Sequence, residues 1–279
     1  MSQPTSLMQA VEQALESGNV QIPVYSSTVS RLQAAVDNED ADAKQIEVVL
    51  GQDPALAAQV LRVANSPFYG GLSKVSTISG AAQRLGLRQV VNIAVLTAQR
   101  AAHACSDPLM KALMQRLWEH SVGCAIGAKW IAEHANCREF ASEAFMAGLL
   151  HDVGSLMLLR VLEGLRADQP GQPMPESLML EVVTALHAEQ GAALIRHWAL
   201  PESYAAMASS HHALEFDSTD TVGMLVRLAD QACHKIGMSL TPDPSIRLST
   251  LPECSALRVK EIALAELEIA IEDGVSALA

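Results

Sequence analysis

The run FMAGLLHDVGSLMLL, Phe145 to Leu159, is an apolar stretch broken by a histidine and an aspartate placed side by side. A carboxylate taken out of water needs a cation or several hydrogen bonds, or it takes up a proton. With the His151 imidazole next to it, Asp152 suggests that the cation is a metal ion. Other donors of the same kind recur along the chain in the order H, HD, H, HH, D: His120, His151 with Asp152, His187, His211 with His212, and Asp230. Imidazole and carboxylate ligands without a thiolate suit Fe, Mn, Zn or Mg in an open site. Taken singly, each residue has a plainer reading. A histidine on an apolar face is commonly a hydrogen-bonded core residue, and Asp230 would serve equally as a cap or an arginine partner. His103, His134, His197 and His234 read as ordinary surface or packing residues.

The elements that must carry these side chains are helical. In LWEHSVGCAIGAKWI, His120 falls on the inward stripe with Leu117, Ser121, Cys124, Ala128 and Ile131. His151 and Asp152, read as neighbours on one helix, stand ~100° apart and can converge on one ion. Gly191, one turn after His187, leaves room beside that imidazole. His211 and His212 end the helix that starts after Pro201, and Asp230 lies beside the stripe Val222, Val226, Ala229, Cys233. Asp53-Pro54 marks a helix start that runs to about Asn65, and Gly86 marks the stop of a helix over Ser79–Leu85. In LGLRQVVNIAVLTAQRAA the residues Leu87, Val90, Val91, Ala94 and Val95 form one apolar face. A break at Cys105–Pro108 precedes a long helix from Leu109 to about His134. ADQPGQPMPES is a loop, and SLTPDPSIRLSTLPE is irregular. The last helix, about Ser255 to Leu278, turns Val259, Ile262, Leu267 and Ile271 to its apolar side. No run alternates as a strand would. The aromatics Phe68 and Tyr69 look exposed in a glycine-containing turn, either packing a lobe interface or serving recognition. The acidic run DNEDAD, Asp37 to Asp42, reads as a solvated turn.

Bulk composition agrees. Of 279 residues 49% are apolar but only 4% aromatic, which favours packed helices over sheets. The balance of 19 basic against 31 acidic residues gives −12, with no basic stripe, so direct nucleic-acid binding is not expected. Five scattered cysteines without a C-x-x-C give no indication of a disulfide framework or a zinc knuckle. The N-terminus does not read as a signal peptide, and no uninterrupted apolar stretch reaches the ~18 residues of a membrane span. The expectation is a cytoplasmic protein with reduced thiols.

The order of donors resembles the HD metal-dependent phosphohydrolase superfamily. The blocks LGQDPALAAQVLRVANSPFYGG, ISGAAQRLGLRQVVNIAVL, LWEHSVGCA, AFMAGLLHDVGSLML and ALPESYAAMASSHH are similar, in their usual order, to those of the HDOD (HD-related output domain) family. The resemblance spans roughly residues 20–235. It implies an all-α HDOD fold with an N-terminal helical lobe over about 20–106 and an HD-like lobe over 107–235. Residues 236–279 would add a loop and an amphipathic helix packed on the domain. By the same similarity, His120, His151, Asp152 and Asp230 would form one metal site. His187, His211 and His212 would complete a second, bridged by Asp152, which would be the catalytic ligand of a hydrolase. Two departures weaken the hydrolytic reading. Relatives with activity often read H-D-x-G-K, but Ser155 follows Gly154 here, and the G-Y-P element after the histidine pair is missing. The expected function is a regulatory signal-transduction module, weakly or not catalytic, acting in trans on another signalling protein or a nucleotide, with a divalent metal as structural or sensing group. The alternative is an active metal-dependent phosphohydrolase, a phosphodiesterase or nucleotidase. The apolar stripe of the last helix is compatible with a homodimer.

Overall fold

Aspartate followed by proline starts two of the helices, one of them the helix that carries His120. Asp53 accepts from the Leu56 amide at 3.0 Å ahead of Pro54, and Asp107 accepts from the Leu109 and Met110 amides at 2.9 and 3.0 Å ahead of Pro108. The side chain satisfies amides that the first turn leaves open, and proline lacks the amide that would be left over. The computed structural model describes residues 6–17, 27–36, 42–69, 71, 73–169, 173–215 and 217–278. Residues 37–41 of the acidic run and 170–172 of the proline-rich loop lie outside them. Among the described residues there are fourteen α-helices: α1 Leu7–Glu16, α2 Ser27–Val36, α3 Ala43–Leu50, α4 Pro54–Ala64, α5 Ile78–Leu85, α6 Leu87–Ala102 and α7 Pro108–His134, then α8 Ala141–Leu150, α9 Val153–Asp168, α10 Glu176–His197, α11 Glu202–Ser210, α12 Thr221–Lys235, α13 Pro252–Leu257 and α14 Glu261–Leu278. There is no strand among the described residues, so the fold is all-α.

Helices α2 to α6 pack chiefly on one another, with α6 also touching α8, whereas α1 lies against α9 and α10. The long α7 is the spine of the remainder: α8, α12 and α14 all lie along it. Its small residues allow this, since a Cβ at Gly127 would come within 3.0 Å of Ala229 on α12 and of Ile271 on α14. Tyr69 is buried rather than exposed. Its hydroxyl accepts from Gln89 Nε2 at 3.1 Å, Phe68 meets it edge-on at 4.7 Å, and the Lys129 ammonium of α7 lies 5.5 Å from its ring. Of the two readings of this turn the structure shows the packing one, a wedge between α6 and α7.

Two expectations about helices need correction. The last helix is two, divided where Arg258 takes a left-handed conformation at φ 55° and closes α13. The buried stripe of α14 is Leu264, Leu267, Ile271, Val275 and Leu278, whereas Ile262 is 70% exposed. Five residues separate Ile262 from Leu267, a rotation of ~140° away from the buried face. The second correction concerns membranes. Arg138–Asp168 and Glu176–His197 are long and apolar enough to cross a membrane, but the most apolar 18 residues of the first are 94% buried inside the fold and those of the second 44%. The apolar side chains of the first face neighbouring helices, and the His–Asp pair interrupts it.

The Asp107 cap holds the start of the spine. Its carboxyl is held below the usual aspartate range, first by the Met110 amide and then, against some burial, by Arg166 at 3.2 Å. A depressed carboxylate contributes stability above its unfolded pKa and loses it as pH falls through the folded value. Asp107→Ala is therefore expected to cost about 1 kcal/mol at pH 7. The difference from wild type should shrink as the pH is lowered below ~4. Denaturant midpoints at pH 7 and pH 3 check this.

Candidate metal centre

The His–Asp pair does not lie within one helix. His151 is the C-terminal cap of α8 and Asp152, at φ −108° and ψ 21°, the N-terminal cap of α9. The kink has a tertiary cause. On α8, a Cβ at Gly148 would sit 2.7 Å from the Cys124 carbonyl oxygen of α7. On α9, a Cβ at Gly154 would fall on the His187 carbonyl oxygen of α10, 2.5 Å from the Gly191 amide nitrogen. Two backbone-to-backbone approaches in different directions fix where each helix points, and the two residues between them face inward. Gly191 accordingly admits the Gly154 backbone, its own Cβ position lying 3.2 Å from Gly154 N, rather than leaving room beside His187.

The structure brings His120, His151, Asp230 and Cys124 into one buried group and His187, His211 and His212 into a second. The groups touch, with the His151 and His211 rings edge-to-face at 5.0 Å. Each of the buried imidazoles is anchored through Nδ1 to a backbone carbonyl: His120 to Met238 at 2.9 Å, His151 to Gly148 at 2.7 Å, His187 to Val183 at 3.0 Å and His211 to Ala208 at 2.9 Å. A carbonyl only accepts, so Nδ1 carries the proton and the neutral ring presents a lone pair at Nε2. These Nε2 atoms converge. His120 lies 3.3 Å from His151, His187 lies 3.3 Å from His211, and Asp230 Oδ1 is 3.3 Å from His120 and 3.7 Å from His151.

Lone pairs facing one another repel unless a cation lies between them. Donors held about 2.1 Å from one ion stand about 3.0 to 3.4 Å apart, depending on whether the ion is octahedral or tetrahedral. Three of these four separations fall in that span, and His151 to Asp230 at 3.7 Å lies just beyond it. Asp230 Oδ1 is also a fully buried oxygen without a hydrogen-bond partner of acceptable geometry. An orphaned carboxylate oxygen ringed by imidazole lone pairs fits a divalent ion. Carbonyl-anchored imidazoles are likewise the usual outer support of a metal ligand.

The electrostatics ask for positive charge at the same place. Burial opposes ionisation of Asp230, yet His120, His151 and His234 hold its pKa well below the usual range. Burial likewise opposes Asp152, which His187, His151, His120 and His211 draw down. Burial works against a charged His120, but Asp230 outweighs it and raises the ring to about 10. Proton and metal thus compete for one position on His120. In the second group, burial and then His151 and His212 push His211 well below the usual histidine value, which leaves it neutral.

Asp152 stands nearest the second group, with Oδ1 3.8 Å from His187 Nε2. The same oxygen accepts from the Ser155 hydroxyl at 2.7 Å. Sequence reasoning missed two residues. Cys124 lies one turn after His120 with Sγ 3.7 Å from its Nε2, and burial with the adjacent Cys233 pushes its thiol well above the ordinary value. His234, read above as an ordinary surface or packing residue, lies one turn after Asp230 with its Nε2 3.3 Å from Asp230 Oδ1. The H-x-x-x-C and D-x-x-x-H spacings were the signals available for both.

The loop after α12 completes the site. Gly237, at φ 85°, turns the chain back so that Met238 and Thr241 present their carbonyls to His120 and His234. Arg116 of α7 pins this loop by donating to the Leu240 carbonyl at 2.5 Å while pairing with Glu176 of α10 at 2.7 Å. Arg227, paired with the buried Glu253 at 2.6 Å, donates to the His211 carbonyl at 2.9 Å. Over the histidines and aspartates opens a cavity of about 280 Å³, completed by Ser155, Thr184, Ser239, Thr241 and apolar side chains. No lysine or arginine is among the described residues that line it. A larger hollow of about 480 Å³ by α4 and α6 has neither histidine nor cysteine in its lining.

Fold and site together define an all-helical protein of the HD type, with two contiguous donor groups at the meeting of α7 to α12. The family profile of the HDOD domain matches residues 22–214, and the chain belongs to the HDOD family. An uncharacterized protein of Treponema pallidum (strain Nichols) is 27% identical over 199 residues, which cover 69% of this chain and 38% of that protein. The chain therefore spans well under half the length of this relative. An HDOD domain protein of unknown function from Geobacter sulfurreducens has the same fold, with a TM-score of 0.77 at 24% identity over 97% of this chain and 96% of that one. So does a candidate metal-dependent phosphohydrolase from Shewanella amazonensis SB2B, with a TM-score of 0.75 at 18% identity over 96% and 98% of the two chains.

Proposed function

We propose that this chain is a metal-holding HDOD regulatory module, weakly or not catalytic, which acts through a signalling partner or a nucleotide. The observation that carries this reading is Ser155. At the place where a lysine would meet phosphate charge, a buried hydroxyl donates to Asp152 Oδ1 at 2.7 Å. No lysine or arginine is among the described residues that line the cavity to take its place. A divalent ion bound to the imidazoles and carboxylates would supply Lewis acidity and lower the pKa of a bound water. The chain's own residues hold the donors in register and keep Asp152 engaged with Ser155, and no lysine or arginine among the described lining residues adds positive charge for a phosphoryl group. Removing one preorganised charge-stabilising group commonly costs ~10²–10³ in rate, so a site without such a group retains little turnover.

The second reading, an active phosphohydrolase, is favoured by the convergence of both donor groups beneath an accessible cavity. Metal content by mass spectrometry, on protein purified without a histidine tag or chelator, is the first test. It is paired with assays of phosphate monoesters, phosphodiesters and cyclic nucleotides. One or two equivalents of Fe, Mn or Zn with no turnover above the metal-free protein is the expected result. Multiple-turnover hydrolysis that disappears in a folded Asp152→Ala variant would replace the regulatory reading with the enzymatic one. A folded chain without metal would make the same residues a hydrogen-bonded polar core.

A further inference from the structure

Five buried or half-buried imidazoles share one arrangement, and only four of them belong to the donor pattern of the superfamily. The fifth is His234. We infer that His234 is an additional ligand of the divalent metal held by His120, His151 and Asp230, approaching from the cavity side. The inference rests on the metal-binding reading above.

Its geometry matches that of the others. His234 Nε2 lies 3.3 Å from Asp230 Oδ1, the separation also found for His120 Nε2. Its Nδ1 donates to the Thr241 carbonyl at 2.7 Å, with Ser239 Oγ at 3.0 Å, so the neutral ring turns its lone pair toward the carboxylate. The His120 and His234 rings are edge-to-face at 5.4 Å. On α12 the spacing from Asp230 to His234 is i,i+4, which puts both on one face one turn apart. The shared oxygen, Asp230 Oδ1, is the buried atom without a hydrogen-bond partner, so three imidazoles and one carboxylate meet at one point.

A carbonyl anchor alone does not make a ligand. His103 and His134 also bond the carbonyl one turn back through Nδ1, to Gln99 at 2.8 Å and Trp130 at 2.7 Å. Their rings rest against Trp118 and Trp130. What sets His234 apart is where Nε2 points. Its side chain is 15% exposed and lines the cavity, whereas that of His151 is fully buried. His234 is thus the ligand of the first group best placed to exchange with a molecule entering the cavity.

The test is a Co²⁺ titration of the metal-free full chain, reading the visible d–d absorption, in wild type, His234→Gln and His234→Ala. Far-UV circular dichroism checks that each is folded. The expected result is a drop of about 100-fold in first-site affinity for both variants, at the upper end of effects seen around metal sites. The band positions and intensities should change as a nitrogen donor is lost. Millimolar imidazole should restore the wild-type bands in His234→Ala, because the vacated position faces the cavity. Unchanged affinity and spectrum in both variants would overturn the assignment and leave the other ligands standing. A wild-type chain that takes up no Co²⁺ would instead overturn the metal-binding reading, and this inference with it.

Discussion

Gly154→Ala is expected to destabilise the chain by about 3 kcal/mol, the upper end of the cost of overpacking a tight interior. The added Cβ would fall on the His187 carbonyl oxygen, 2.5 Å from the Gly191 amide nitrogen and 2.9 Å from the His187 carbonyl carbon. All three are backbone atoms of α10, so no flexible side-chain end can move aside. Helices α9 and α10 must separate, and the displaced backbone is that of a residue in the second donor group. Loss of stability should therefore come with loss of metal from His187, His211 and His212, while the group at His120 keeps its ion. Gly191→Ala is the internal control. Its Cβ would lie 3.2 Å from Gly154 N and 3.5 Å from the Ala208 Cβ, a contact relieved by a shift of a few tenths of an ångström. A much smaller effect is expected there. Urea midpoints for both variants, together with metal equivalents after dialysis, read the two effects separately. A Gly154→Ala chain as stable as wild type would mean that the approach of α9 to α10 does not set the position of His187.

The same contact explains what the sequence could and could not reveal. Helix starts at Asp53-Pro54 and Asp107-Pro108 and the stop at Gly86 are local events, written in side chains that cap their own backbone, and they lie where expected. The donors on α7, α10, α11 and α12 are legible because a polar residue on an apolar stripe stands out at helical period. The break at His151–Asp152 was not legible. Residues 144–159 contain no proline, and the glycines at 148 and 154 read as packing residues. They are that, but each packs against a different helix, and the resulting kink appears only once α7 and α10 are in place. Cys124 and His234 were passed over for a related reason. One lay on an inward helix stripe and the other read as an ordinary surface or packing residue, until the fold brought His120 beside the first and Asp230 with the loop after Gly237 beside the second. The break at Arg258 depends on a left-handed residue that is not glycine, a conformation with little sequence signature.

Asp230→Asn separates the two physical accounts of the centre. The change keeps shape and removes one negative charge from an oxygen shared by His120, His151 and His234. Two consequences oppose each other in the metal-free chain. Breaking a buried ion pair commonly costs about 3–5 kcal/mol because the remaining charge is left uncompensated. His120 can escape much of that cost by giving up its proton, since Asp230 is what outweighs burial there and raises the ring to about 10. The metal-free variant should therefore be only modestly less stable than metal-free wild type at neutral pH. The larger difference appears with metal. A ligand that binds only the folded state at 100 times its Kd stabilises it by about 2.7 kcal/mol, so wild type should melt higher when Zn²⁺ or Mn²⁺ is added. In Asp230→Asn that gain should vanish for the first group, because the amide brings no charge to offset desolvation of the ion. Thermal melts of both proteins, each with and without metal, give the four values needed. If the histidines and aspartates instead form a polar core, added metal leaves the wild-type melt unmoved, and Asp230→Asn differs from wild type by the same amount in both conditions. A variant that keeps the full metal-induced shift would remove Asp230 from the ligand set.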